Sequence, residues 1–88
     1  MTKIDKLFEK FKENPESLKY SQIIRILKKL WFTEVEASGS HKKIYHPTNG
    51  KHVAVALHDN DCKDWLKKLI LQFYISNPIE DENSNDEL

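Results

Sequence analysis

The residues best suited to chemistry stand together at Gly39-Ser40-His41-Lys42-Lys43-Ile44-Tyr45-His46. A histidine follows a tight Gly-Ser turn, and two lysines follow the histidine. An imidazole moves protons near neutral pH, and an ammonium group holds a phosphate. That pairing points to work on a nucleic-acid backbone. His52 and His58 add two more imidazoles downstream, and Cys62 is the single thiol.

A metal site is the natural rival in a chain with four histidines. His46, His52 and His58 are spaced by six residues, which is not a zinc-ligand spacing, and one cysteine adds little. No metal or other cofactor is therefore expected. Cys62 reads as an inert, partly buried residue, and with no second cysteine it cannot form an internal disulfide.

The elements that must position these residues follow from hydrophobic periodicity. Ile4, Leu7, Phe8 and Phe11 recur at helical spacing and predict a helix over 3–13, stopped at Asn14-Pro15. Ile23, Ile24, Ile26, Leu27, Leu30 and Trp31 predict a second helix over 22–32. Ser21 is its expected N-cap, and Arg25, Lys28 and Lys29 face water. Three strands are expected at 34–38, 41–46 and 52–57. Pro47-Thr48-Asn49-Gly50 joins the last two as a hairpin. His58-Asp59-Asn60-Asp61 is a polar connection, with Asp61 the expected cap of a final helix over 62–75. Trp31 and Trp65 are expected in the core. The resulting class is α+β: a three-stranded antiparallel sheet with helices on one face.

Strand parity then sorts the side chains. Val53, Val55 and Leu57 must pack on the helices, which turns His52, Ala54, Ala56 and His58 the other way. Ile44 is the core residue of the middle strand, so His41, Lys43 and Tyr45 point outward. Small alanines among them let a backbone or base approach closely.

Bulk properties agree with one small domain. The chain has 88 residues with 14 basic and 14 acidic side chains. Five acids and no bases lie in residues 80–88, which leaves nine acids against 14 bases, a net +5, for residues 1–79. A basic body suits a polyanion. No apolar run is long enough to span a bilayer, and the N-terminus lacks the apolar stretch of a signal peptide, so a soluble, cytoplasmic protein is expected. The expected organisation is a helical extension at 1–17, a domain at 18–78 and a disordered acidic tail at 79–88.

With these residues in place, the chain resembles the HicA toxin family, small mRNA interferases of type II toxin–antitoxin systems. Tyr20 to Leu30 resembles the family's opening helix. Gly39-Ser40-His41 matches its Gly-Ser-His motif, and Ile44-Tyr45-His46-Pro47 its tyrosine-bearing strand and turn. Val53-Ala54-Val55-Ala56-Leu57-His58 is similar to its Val-x-Val-Pro-x-His strand end. Trp31 stands where the family usually has glycine, Ala56 stands for proline, and the final helix lacks an initial Gly-Thr. The resemblance spans about residues 18–76. It implies a double-stranded-RNA-binding-domain-like fold, metal-independent RNA cleavage with His41 as the catalytic residue, and a HicB-type antitoxin partner.

RNA supplies its own nucleophile, the 2′-hydroxyl. A neutral His41 within about 3 Å can take that proton as the oxygen attacks phosphorus. Lys42 or Lys43 and amides near Gly39-Ser40 can stabilise the charge that develops. Tyr45 and His58 complete the expected RNA-binding set, with His58 or water as general acid. DNA lacks the 2′-hydroxyl and is not expected as a substrate. Two other functions remain open: a non-catalytic RNA-binding module, and a protein-interaction module using the same face.

Overall fold

A computed structural model describes residues 3–79. The chain runs helix α1 (Lys3–Glu13), a 3₁₀ turn (Pro15–Ser17), helix α2 (Tyr20–Lys29), strands β1 (Thr33–Glu36), β2 (His41–Tyr45) and β3 (His52–Ala56), and helix α3 (Asp64–Ser76). The strands form one antiparallel sheet in the order β1-β2-β3. This is the expected α+β class, with the helices on one face and the other face open.

The core lies between the sheet and the helices. Ile44 and Val55 meet Ile23, Ile26 and Leu27 of α2 and Leu66, Ile70 and Leu71 of α3. Phe11 of α1 is fully buried in the same cluster, with Ile4, Leu7 and Phe8 packed against it. The helix expected as an extension is thus built into the core. Ile79, the first residue of the expected tail, also packs on the core. The rest of that segment lies outside the described residues.

The expected start of α2 needs correction. The helix begins at Tyr20, not after a Ser21 cap. Asp61 Oδ1 accepts the Tyr20 N–H at 2.8 Å and the Cys62 N–H at 2.9 Å. Gln22 closes the same end by accepting the Lys19 N–H at 2.9 Å. Asp61 therefore caps α2 across the fold, not α3, whose N-cap is Lys63. It reaches that position because Asp59 and Asn60 both adopt positive φ, 54° and 67°, and His58 and Asp61 exchange two backbone hydrogen bonds around them. Short polar side chains tolerate that conformation. The nearly buried Lys67 ammonium stands 3.3 Å from Asp61 Oδ1. Burial raises the Asp61 carboxyl, but the two N–H donors and Lys67 outweigh it and hold it below its ordinary value.

Neither tryptophan is in the core; Trp31 is 79% exposed and Trp65 63%. The backbone ends α2 with paired bonds, Phe32 N–H to the Leu27 carbonyl and Trp31 N–H to the Lys28 carbonyl. That motif puts Trp31 in the left-handed region at φ 73°, a position glycine normally fills. The turn swings the indole into solvent and drives Phe32 inward. In α3 the apolar residues occupy more than one face, so Leu66 and Ile70 are buried while Trp65 and Leu69 face outward. Burial leaves the Cys62 thiol pushed up to about 11, as expected for an inert cysteine.

Candidate nucleic-acid interface

Register fixes which side chains share the open face. His41 pairs with Ala56, Lys43 with Ala54, and Tyr45 with His52; on the other side of β2, Lys43 pairs with Val35 and Tyr45 with Thr33. Alternation places all eight on one face. Val35 is 42% exposed there. The eight strand residues include no carboxylate.

His41 is exposed at the start of β2. The connection before it is tight. Gly39 adopts φ 56°, and the His41 N–H donates to the Ser38 carbonyl at 2.9 Å. The imidazole folds back on the same carbonyl, with Nδ1 3.1 Å from Ser38 O. A carbonyl oxygen only accepts, so Nδ1 carries the proton. In the neutral ring, Nε2 then presents a free lone pair to solvent. Gly39 earns its place through its backbone conformation, since a side chain there would be strained.

Lys42 and Lys43 do not act together. Lys42 shares the helix side of the sheet with its register partners Glu36 and Val55. Its Nζ donates to Glu36 Oε2 at 2.8 Å, a bond that raises the Lys42 ammonium and lowers the Glu36 carboxyl. Lys42 is thus turned away from His41, contrary to its expected place among the RNA-binding residues, because adjacent strand residues point to opposite faces. Lys43 is half-buried on the open face and forms no ion pair among the described residues.

Tyr45 and His52 stand side by side at the opposite end of the face, with ring centroids 4.9 Å apart and planes tilted by 31°. The sequence analysis places Tyr45 in the RNA-binding set and leaves His52 out of it; the register joins them. His58 is exposed two residues beyond Ala56, the partner of His41. Ser40 accepts the Leu57 N–H at 3.1 Å, which extends the β2–β3 pairing towards it. Ser38, which orients the His41 ring, was not singled out by sequence. Its role shows only in the folded turn.

His46, one residue past β2, is buried. Its Nδ1 accepts the N–H groups of Thr48 and Asn49 at 3.1 and 3.2 Å, and its Nε2 donates to the Asn77 carbonyl at 2.9 Å. It packs edge-on against Phe32, with centroids 5.3 Å apart. His46, His52 and His58 are not drawn into one cluster, and among the described residues no three His, Cys, Asp or Glu side chains are placed to hold a metal. Two sizeable surface concavities lie along α1 and α2, against Lys6, Leu7, Gln22 and Arg25 and against Ile24, Lys28 and Lys29. His41 lines neither of them and is exposed on the open sheet face, which suits an extended polymer better than an enclosed small molecule.

No helix among the described residues is long and apolar enough to cross a membrane. No curated protein and no solved structure matches the chain. A family model, HicA toxin of bacterial toxin–antitoxin, matches residues 20–72, from the first residue of α2 to the middle of α3, and so covers more than half of the 88 residues. It takes in the whole sheet and the Gly39-Ser40-His41 turn and leaves out α1. A match over more than half of the chain, taking in the open sheet face and its turn-borne histidine, settles the family: the chain belongs to the HicA family of toxins, which act in pairs with antitoxins.

Proposed function

We propose that this toxin is a metal-independent endoribonuclease that cleaves mRNA with His41 as general base. One observation carries the reading: the Ser38 carbonyl holds the Nδ1 proton, leaving Nε2 as an exposed acceptor on a face with Lys43 and no carboxylate.

RNA lies along the open face with a 2′-hydroxyl against His41 Nε2. Nε2 takes the hydroxyl proton as the oxygen attacks the adjacent phosphorus. The Lys43 ammonium stabilises the added negative charge, and the glycine at position 39 lets the main chain approach closely. The bond to the 5′-oxygen breaks, and that oxygen takes a proton from His58 or from water. The products are a 2′,3′-cyclic phosphate and a free 5′-hydroxyl. The charge on His41⁺ is shared with Ser38 through the Nδ1–H bond, which holds the ring in position during transfer.

The antitoxin partner in this reading is HicB-like and covers the open face. The toxin acts in the cytoplasm, and the residues of the chemistry lie within 18–78, on a core that α1 helps to complete. The test is direct: the toxin, freed of antitoxin, is incubated with single-stranded RNA beside its His41→Ala variant. Cyclic-phosphate ends are expected from the first and not from the second. Equal cleavage by both, or intact RNA with a protein that binds it, sinks the reading; the second result assigns a non-catalytic RNA-binding role.

A further inference from the structure

We infer that the Tyr45–His52 pair is a stacking platform for one unpaired base of an RNA strand lying across the open face. Its position relative to the cleaved bond rests on the nuclease reading; the stacking itself rests on the face alone.

Tyr45 and His52 are direct register partners, so their side chains leave the same face side by side. Their rings lie 4.9 Å apart and 31° from parallel, an offset stack that a base can extend on the exposed His52 ring. Tyr45 is half-buried, while His52 is exposed. The neighbours on β3, Ala54 and Ala56, are small, so the two rings are the tallest features at their end of the β2–β3 strip.

The surroundings specify the occupant. Lys43 lies on the same face between His41 and Tyr45, unpaired among the described residues and with no carboxylate among the strand residues of that face. An ammonium beside exposed π-faces is the combination that holds a single strand, phosphate on the cation and base on the ring. A duplex keeps its bases stacked inward and offers no face to such a platform. His41 and Tyr45 are four residues apart, about 13 Å along an extended strand. The stacked base thus belongs to a near neighbour of the nucleotide at His41, not to that nucleotide itself. A site of this kind selects sequence through stacking strength.

The test uses the full chain carrying His41→Ala, so that RNA survives, and single-stranded RNA in which 2-aminopurine replaces each base in turn. Stacking is expected to quench the probe strongly at one position. Tyr45→Thr preserves strand propensity but removes the ring; with His52→Thr it is expected to abolish that quench and weaken binding by about ten- to a hundredfold. Tyr45→Phe should retain both. Circular dichroism establishes that each variant is folded. Uniform quenching along the RNA, or Tyr45→Thr binding as tightly as Tyr45→Phe, overturns the proposal. So does loss of antitoxin binding with RNA binding unchanged, which assigns the platform to the protein partner. Absence of cleavage by the unmodified chain tells against His41 chemistry and leaves the quench result to judge the platform separately.

Discussion

His41 and His46 stand five residues apart at the two ends of one strand, and the fold treats them oppositely. His46 is buried, and both ring nitrogens have backbone partners: two N–H groups on Nδ1 and a carbonyl on Nε2. It fastens the β2–β3 turn to the end of α3 and has no lone pair left for a substrate. His41 makes one such bond, to Ser38, and leaves Nε2 open. A histidine's capacity for chemistry is therefore set by which nitrogen the backbone leaves unclaimed, and that depends on the turn beside it.

The largest effect that sharpens this contrast is on cleavage. His41→Ala is expected to lower the rate of RNA cleavage by about 10²–10⁴-fold without changing the melting temperature. His46→Ala should do the reverse, costing about 1–3 kcal/mol of stability through its orphaned turn groups while RNA cleavage at low temperature persists. Denaturant melts and cleavage assays on both variants check the pair, and a stable His46→Ala protein that no longer cleaves would break the comparison.

Asp61 offers a second structural counterpart, since it too is claimed by backbone. Asp61→Asn removes the charge that faces Lys67 and is expected to cost about 1–3 kcal/mol at neutral pH. Because the folded-state carboxyl is held below its ordinary value, Asp61 contributes stability above about pH 4, the range of a free aspartate, and loses it as pH falls through the lowered value. Thermal melts from pH 7 to pH 2 should show a shallower acid decline in the Asn variant.

A smaller gain is expected at Trp31. Trp31→Gly relieves the left-handed backbone at φ 73° and should stabilise the chain by about 1 kcal/mol, roughly 4–8 °C in Tm. Any loss of RNA or antitoxin binding in that variant would show what the exposed indole contributes.

The two lysines give the finest distinction. Lys43→Ala should reduce the slope of log affinity for RNA against log salt by about one, whereas Lys42→Ala, turned to the other face, should leave it unchanged. Equal slopes for both would show that RNA reaches beyond the open face.

Much of the fold was legible from the chain. Alternation around Ile44 and Val55 turned His41, Lys43 and Tyr45 to one face, and Asn49-Gly50 marked the hairpin, where Gly50 adopts φ 76°. The misplacements share a cause. Apolar character says that a residue prefers burial but not which helix face meets the sheet or where a turn swings a side chain, so Trp65 on α3 and Trp31 in the turn after α2 are expected inside and lie outside. Local capping logic put Asp61 on the helix that follows it, when its partner lies 41 residues upstream.

The sequence by itself determined the element types, the period-two sorting of β2 and β3, and the family, because these depend on near neighbours along the chain. Only the tertiary structure decided which histidine keeps a free nitrogen, that Lys42 faces Glu36, and that His52 stands against Tyr45. Those outcomes depend on register and on long-range hydrogen bonds. Register is set when the whole sheet packs against its helices, since a shift of one residue would turn Ile44 and Val55 out of the core.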